Sequence, residues 1–434
     1  MNRLHLVFSS LCLALGAAAC NSSGELPPAG TDDAAMTDDG GVSEDAGPNG
    51  APSKNYPAPF PAPPEVVSAG GWVMDKPKFV PVFFQNEDQT RKTQLIEFES
   101  KIGATDYWKV TTSEYGVGAG TMGKVVTVKE TPADSQTDQT IAKWLALKLN
   151  LNDANFPAPD ENTIYVIHYP DNVTITQMGF LGQQTSCQEF GGYHTNVVLD
   201  QRHGNQLVAY AVIPPCVDFG GVKGIDSLTS TVAHELIEAS SDPFPMDDPA
   251  YSQVDTDHFY WLFALGGGEN ADMCAQDPLS FTKVPELPYT IQRSWSNVAA
   301  KAGHNPCVPA PAPSVEPYFN AVPELDEEVT INIGQVITMK GVNVPVGQSK
   351  TVTIDLFSDA PTSGPFTVSA RDASMLTGQQ STMALSLDRS SGVNGEKLHL
   401  TIKSTRASQY GASLFILTSK LGQKQHFWFG LVGQ

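Results

Sequence analysis

Positive charge is what this chain has least of. Lys and Arg number 26 against 47 Asp and Glu, for a formal net charge of -21, so no basic face can be assembled and nucleic acid is excluded as a partner. Long apolar runs are equally scarce. The one near the start, Leu4 through Ala14, is too short to cross a membrane, and no other appears. Cysteine occurs only 6 times, and no pair has the close spacing of a zinc knuckle or ribbon. Between Asn21 and Ser53 large apolar side chains are almost missing, and what is left, Ser, Gly, Pro, Ala and acids, cannot bury enough surface to fold.

At its start the chain carries Arg3, the apolar run, and then Leu15-Gly16-Ala17-Ala18-Ala19 before Cys20. Small residues ahead of a cysteine resemble a bacterial lipoprotein leader. Residues 1–20 are therefore read as a secretory signal, with Cys20 lipidated to hold the chain to a membrane. Ala17 stands where such leaders carry Leu, which keeps a freely secreted form open. The expected location is the bacterial cell envelope, at the outer membrane, or the exterior. Export implies an oxidising compartment. Cys187, Cys216, Cys274 and Cys307 remain there, enough for two disulfides. Proximity favours Cys187 with Cys216 and Cys274 with Cys307, although three pairings exist.

Residues 21–65 read as a disordered tether, acidic first and then, from Lys54 to Pro64, a stiff alternation of Pro and Ala. From about Val66 the apolar spacing switches between strand and helix. Strands are expected over 78–84, 124–128, 163–169, 193–199 and 207–213, and amphipathic helices over 90–102 and 139–149. This first domain, 66–307, closes at Cys307. Residues 308–318, opening with Val308-Pro309-Ala310-Pro311-Ala312-Pro313, are a linker. Residues 319–434 alternate apolar and polar at Val352, Ile354 and Leu356, at Leu398, Leu400 and Ile402, and at Phe427, Phe429 and Leu431, which predicts an antiparallel, Ig-like β-sandwich. Asn394-Gly395 reads there as a hairpin signal. No cluster of His, Cys and acids falls in this domain, so contact with a cell surface or matrix is its default role.

Chemistry concentrates between Ser230 and Pro243. Leu228, Val232, Ala233, Leu236, Ile237 and Ala239 supply the apolar stripe of a helix, and His234 and Glu238 stand four apart on one of its faces. An imidazole and a carboxylate so placed can grip one metal ion, leaving the adjacent Glu235 free to take a proton from a metal-bound water. His-Glu-x-x-Glu is thus the hydrolytic His-Glu-x-x-His helix with its second imidazole replaced. A third ligand has to come from later in the chain. Glu269 and Asp272, between the run Gly266-Gly267-Gly268 and Cys274, are the best placed. His258, beside Phe259, Tyr260 and Trp261, reads as a packed histidine.

Several stretches, taken in order, resemble a known family. They are 156–165, Gly192-Tyr193-His194, Tyr210-Ala211-Val212, Ala233-His234-Glu235-Leu236-Ile237-Glu238, Glu269-Asn270-Ala271-Asp272-Met273-Cys274 and Trp295-Ser296-Asn297. The family is that of secreted bacterial zinc metallopeptidases with a His-Glu-x-x-Glu helix, and more distantly the plant phosphate-induced, EXORDIUM-like proteins. The likeness runs from roughly residue 75 to Cys307. It implies an α+β, zincin-like domain with a mixed sheet and an active-site helix, a zinc ion, and a protein or peptide substrate. By that analogy His234, Glu238 and Glu269 hold the metal and Asp272 orients His234, with the reverse assignment of the two acids open. Glu235 would be the general base, and Tyr193 or His194 would stabilise the oxyanion. Asn270-Ala271 replaces the family's Ile-Gly. The plant relatives act in growth and cell-wall signalling, so the fold also persists without hydrolysis, and a non-catalytic surface-binding protein is the alternative.

Overall fold

The computed structural model of the protein describes residues 50–179, 182–308, 317–374 and 380–434. The signal segment, Cys20, the acidic part of the tether and the centre of the proline linker lie outside the described residues. In chain order the main elements of the first domain are β1 (Lys78–Phe84), α1 (Gln89–Ile102), α2 (Asp138–Asn150), β2 (Thr163–His168), β3 (Tyr193–Val198), β4 (Leu207–Ile213), α3 (Ile225–Ser241), α4 (Tyr260–Leu265), α5 (Asp272–Ala275), β5 (Phe281–Lys283) and β6 (Thr290–Gln292).

β1, β2 and β4 run parallel, and β3 adds antiparallel to β4 at one edge. Parallel strands are covered on both faces, which is why β2 (TIYVIH) is buried at every position. Alternation divides the side chains between two layers. Phe79, Phe83, Ile164, Val166, Ala209 and Ala211 pack with Leu95 and Phe98 of α1 and with Leu228, Val232 and Leu236 of α3. Val80, Val82, Tyr165, Ile167, Tyr210 and Val212 pack with Ile141, Leu145 and Leu149 of α2. The other edge is broken at Pro81, which has no N–H to donate. Thr121–Met122 pairs with β1 as far as Phe79, and Val126–Val128 resumes at Val82.

The second domain comprises β7 (Phe319–Pro323), β8 (Glu327–Asn332), β9 (Val336–Asn343), β10 (Ser349–Ser358), β11 (Phe366–Asp372), β12 (Met383–Leu387), β13 (Ser391–Gly392), β14 (Lys397–Ser404), β15 (Ala412–Leu421) and β16 (Lys424–Gly433). Two sheets form, β7-β10-β14-β12 and β8-β9-β16-β15-β11-β13. Ile354, Leu398, Leu400, Ile402, Phe415, Leu417 and Leu431 share their core. The pairing is antiparallel except where β9 meets β16 in parallel at Val342 and Asn343. Asn394-Gly395 makes a turn, with Gly395 at φ +90°, but not a hairpin: β13 pairs with β11, whereas β14 pairs with β10 and β12.

Two features tie the chain together beyond what spacing suggests. The segment from Lys54 to Pro64, expected as a free spacer, is docked on the sandwich. The Asn394 carboxamide accepts from the Ala58 and Ser358 N–H groups at 2.9 Å each and donates to the Ser53 and Asn55 carbonyls. Phe60 stacks on Phe357 with ring centroids 4.1 Å apart. An extended proline segment leaves its backbone groups unpaired, so one fully used carboxamide is enough to pin it. The domains also share a continuous apolar core, in which Trp261 of α4 meets Trp428 and Phe429 of β16 edge-on. The disulfides are Cys187–Cys216 and Cys274–Cys307, marks of folding in an oxidising compartment. No helix among the described residues is long and apolar enough to cross a membrane.

Candidate metal centre

α3 lies between the sheet and β6, so nearly all its residues are buried. Gly224 begins it at φ +63°, and the Asp226 carboxylate in its first turn accepts from the Thr290 N–H at 2.9 Å, tying the helix start to β6. The Cys187–Cys216 bridge adds a second tie there, because the Cys216 carbonyl accepts from Ser227 Oγ. A helix fixed at its start and packed on both sides presents its side chains from a rigid frame.

His234, Glu235 and Glu238 project from this helix into one cluster with His194 of β3, Glu269 of the following loop and Asp272 of α5. His234 Nε2 lies 3.0 Å from Glu238 Oε2 and 3.5 Å from Asp272 Oδ1. His194 Nδ1 lies 3.6 Å from Glu235 Oε2 and 3.7 Å from Glu238 Oε2, and its Nε2 lies 3.4 Å from Glu269 Oε1. Two sets, His234/Glu238/Asp272 and His194/Glu238/Glu269, could each hold a metal ion. The donors are imidazole and carboxylate with no thiolate, a combination that suits zinc and also harder ions such as manganese.

Close approach is built into the backbone at two glycines. A Cβ at Gly192 would sit 2.8 Å from Glu235 Oε1, and one at Gly267 would sit 1.6 Å from Asp272 Oδ2, so any side chain there displaces a carboxylate of the cluster. Gln292 completes the frame. Its Nε2 donates to the Ala271 carbonyl at 2.8 Å, which turns its Oε1 toward His234 Nδ1, 3.1 Å away. Nδ1 then donates to the carboxamide, and Nε2 is the nitrogen turned toward Glu238 and Asp272, the one that a metal ion would take in place of a proton. The Tyr107 hydroxyl donates to the Gln292 carbonyl and steadies the same strand.

The electrostatics follow from burying acids together. Burial, reinforced by Asp272, pushes Glu238 up to about 7 against the pull of His234. Burial raises Glu269 well above the carboxylate range, with His194 opposing and Glu238 adding. Burial by itself would lower both imidazoles. The acids outweigh it, so that Glu238 and Asp272 hold His234, and Glu269 and Glu235 hold His194, well above the ordinary range. No lysine or arginine forms an ion pair with these carboxylates among the described residues.

Of the two acids left open by the sequence, Asp272 joins His234 and Glu238, while Glu269 joins His194 and Glu238. The group at His234 Nδ1 is Gln292, which no motif announces. His194 stands inside the cluster. Tyr193 is absent from it: neighbours on a strand point to opposite faces, and Tyr193 packs against Phe190 and Tyr210 in the α2 layer, so it cannot serve as an oxyanion donor. His258 is half-buried and bonded to Asp255 at 2.9 Å, a packed histidine as read.

No protein-family model matches the chain, and no curated protein does. Among solved structures, domains 4 and 5 of the S-layer protein SbsC are 14% identical, aligning 28% of this chain with 77% of that one at a TM-score of 0.16. The titin M3 domain is 11% identical, aligning 28% with 97%, also at 0.16.

Proposed function

We propose that the first domain is a zincin-like, divalent-metal-dependent hydrolase of peptidase type, exported and held at the bacterial envelope through a lipidated Cys20. The observation that carries this reading is the convergence of His234, Glu238 and Asp272, with Gln292 fixing the His234 tautomer and Glu235 next to the first ligand. These three donors suit zinc. A zinc ion there would polarise a peptide carbonyl and acidify a water. Glu235 would take up the proton released during attack and deliver it to the leaving amine. His194, 3.6 Å from Glu235, would share that proton or steady the carboxylate. His234 and Asp272 form the side of the cluster with access to solvent, at 15% and 12% side-chain exposure, so substrate would approach over them. The sandwich, joined through Trp261, would serve as a surface-contact module.

The test is elemental analysis of the purified full chain together with a peptide-hydrolysis screen. Glu235→Gln is expected to keep the metal and lose roughly 100-fold to 10,000-fold in rate. No metal uptake after zinc is supplied overturns the reading. Metal uptake with no hydrolysis in the native protein leaves a non-catalytic, cell-surface binding protein on the same scaffold.

A further inference from the structure

Between the docked proline segment and the sandwich lies a cavity of about 510 Å³, within the size range of small-molecule sites. One wall is the segment itself, at Ser53, Ala58, Pro59 and Phe60, and the other is the sandwich, at Leu356 and a group of three charges. Lys397 Nζ lies 2.8 Å from Glu324 Oε1 and 2.9 Å from Asp355 Oδ1. Among the described residues the lining takes nothing from the first domain. The site stands apart from the metal centre, and neither reading depends on the other.

The lining narrows the ligand by its chemistry. An anion would face two carboxylates, and a free cation would find the place between those acids taken by Lys397. A wholly apolar molecule would strip water from three charges and return nothing. A neutral molecule suits them when its hydroxyls accept from the ammonium, donate to the carboxylates and leave an apolar face for Pro59, Phe60 and Leu356. The triad has capacity for such a ligand, because an ammonium carries three N–H groups and each carboxylate several lone-pair sites. Lys397 and Glu324 are within reach, at 39% and 38% side-chain exposure. We propose that this cavity binds a saccharide, held by Glu324, Asp355 and Lys397 and packed against the proline segment. Ligand and segment then hold each other in place. The Ser53 and Asn55 carbonyls both accept from the Asn394 carboxamide, and Lys54 between them is the one Lys or Arg from Leu4 to Asp75. Tryptic cleavage after Lys54 requires that stretch to come away from the sandwich, which a bound saccharide opposes.

Calorimetric titration of the full chain with cellotetraose, chitotetraose and maltotetraose is expected to show binding of at least one. Glu324→Ala should weaken it about 10-fold to 100-fold, the worth of a hydrogen bond to a charged group. No binding of any of the three, or equal binding by the native chain and the variant, overturns the proposal. Since the substitution also loosens Lys397, a second readout uses the native chain. Saccharide at about ten times its Kd is expected to slow the tryptic cut after Lys54 about 10-fold, followed by mass spectrometry. An unchanged rate overturns the placement against the segment. Both measurements are made in chelator, so that their outcome is independent of the metal centre.

Discussion

Asp372 in the sandwich and Glu269 beneath α3 are similarly buried, at 4% and 7% exposure, and their surroundings are opposite in kind. Asp372 accepts from the N–H groups of Ser374, Thr382 and Met383 and from the hydroxyls of Ser374, Ser381 and Thr382. Burial would raise it, but those donors win and hold it below the carboxylate range. Glu269 has an oxygen with no hydrogen bond and sits among other acids. A buried carboxylate whose lone pairs are filled by its own chain is architecture. One surrounded by like charge and imidazole is incomplete without a cation, and that contrast separates the sandwich from the candidate centre.

The largest effect that can break the comparison is at Asp372. Asn in its place turns an amide N–H₂ toward groups that all donate, so Asp372→Asn is expected to cost about 3–5 kcal/mol of stability, read as a lower denaturation midpoint whether or not metal is present. An unchanged midpoint would show that the donors find other partners, and the architectural role would go with it.

His426 gives the next effect and sharpens the contrast for imidazoles. It lies between Tyr318 and Phe319, with ring centroids 4.6 and 5.0 Å away. Burial, with Lys424 adding, pushes it down to about 4, whereas the acids hold His194 and His234 up. A histidine lowered on folding takes its proton more readily in the unfolded chain. Its contribution is therefore complete above the ordinary value near 6.5 and is lost as pH falls from there toward 4, by up to about 3 kcal/mol. As pH falls through that window the native protein should lose stability relative to His426→Phe. Parallel curves would show that His426 is not neutral in the fold.

Much of the frame was legible. The apolar periods of β1, β2, β4, α1 and α2 fall where they are expected because burial on one or both faces imposes them directly on composition. The same holds for His234 and Glu238, whose spacing is local, and for two disulfides closed between near neighbours. What was hidden is non-local. Nothing in Tyr289-Thr290-Ile291-Gln292 marks one carboxamide as the partner of an imidazole 58 positions earlier, and the division of Glu269 and Asp272 between two histidines depends on how a loop folds back. Asn394 likewise reads as a turn until its carboxamide is seen holding Ser53, Asn55 and Ala58. Tyr193 was decidable, since strand alternation forbids it and His194 from facing one site together.

Gln292 supplies the third test. Gln292→Ala removes the acceptor from His234 Nδ1 without touching a donor of the cluster, and is expected to weaken metal affinity about 10-fold to 100-fold, measured by competition with a chelating dye. Gln292→Glu should recover part of the loss, because a carboxylate accepts the same bond. Equal affinity in all three proteins would place the orientation of His234 elsewhere.

The smallest effect is the most diagnostic, because its sign depends on conditions. In chelator, at a pH high enough to ionise Glu269, Glu269→Gln removes one charge from a crowded buried group, and the thermal midpoint should rise by an amount corresponding to about 1 kcal/mol. With metal supplied the same change removes a ligand, and the stabilisation that binding adds to the native state shrinks, so the variant should fall below the native protein. At Asp372 no such reversal can occur, since no ion is involved. A Glu269→Gln variant less stable in both conditions would mean that its carboxylate is satisfied by the fold alone, and the distinction between the two buried acids would collapse.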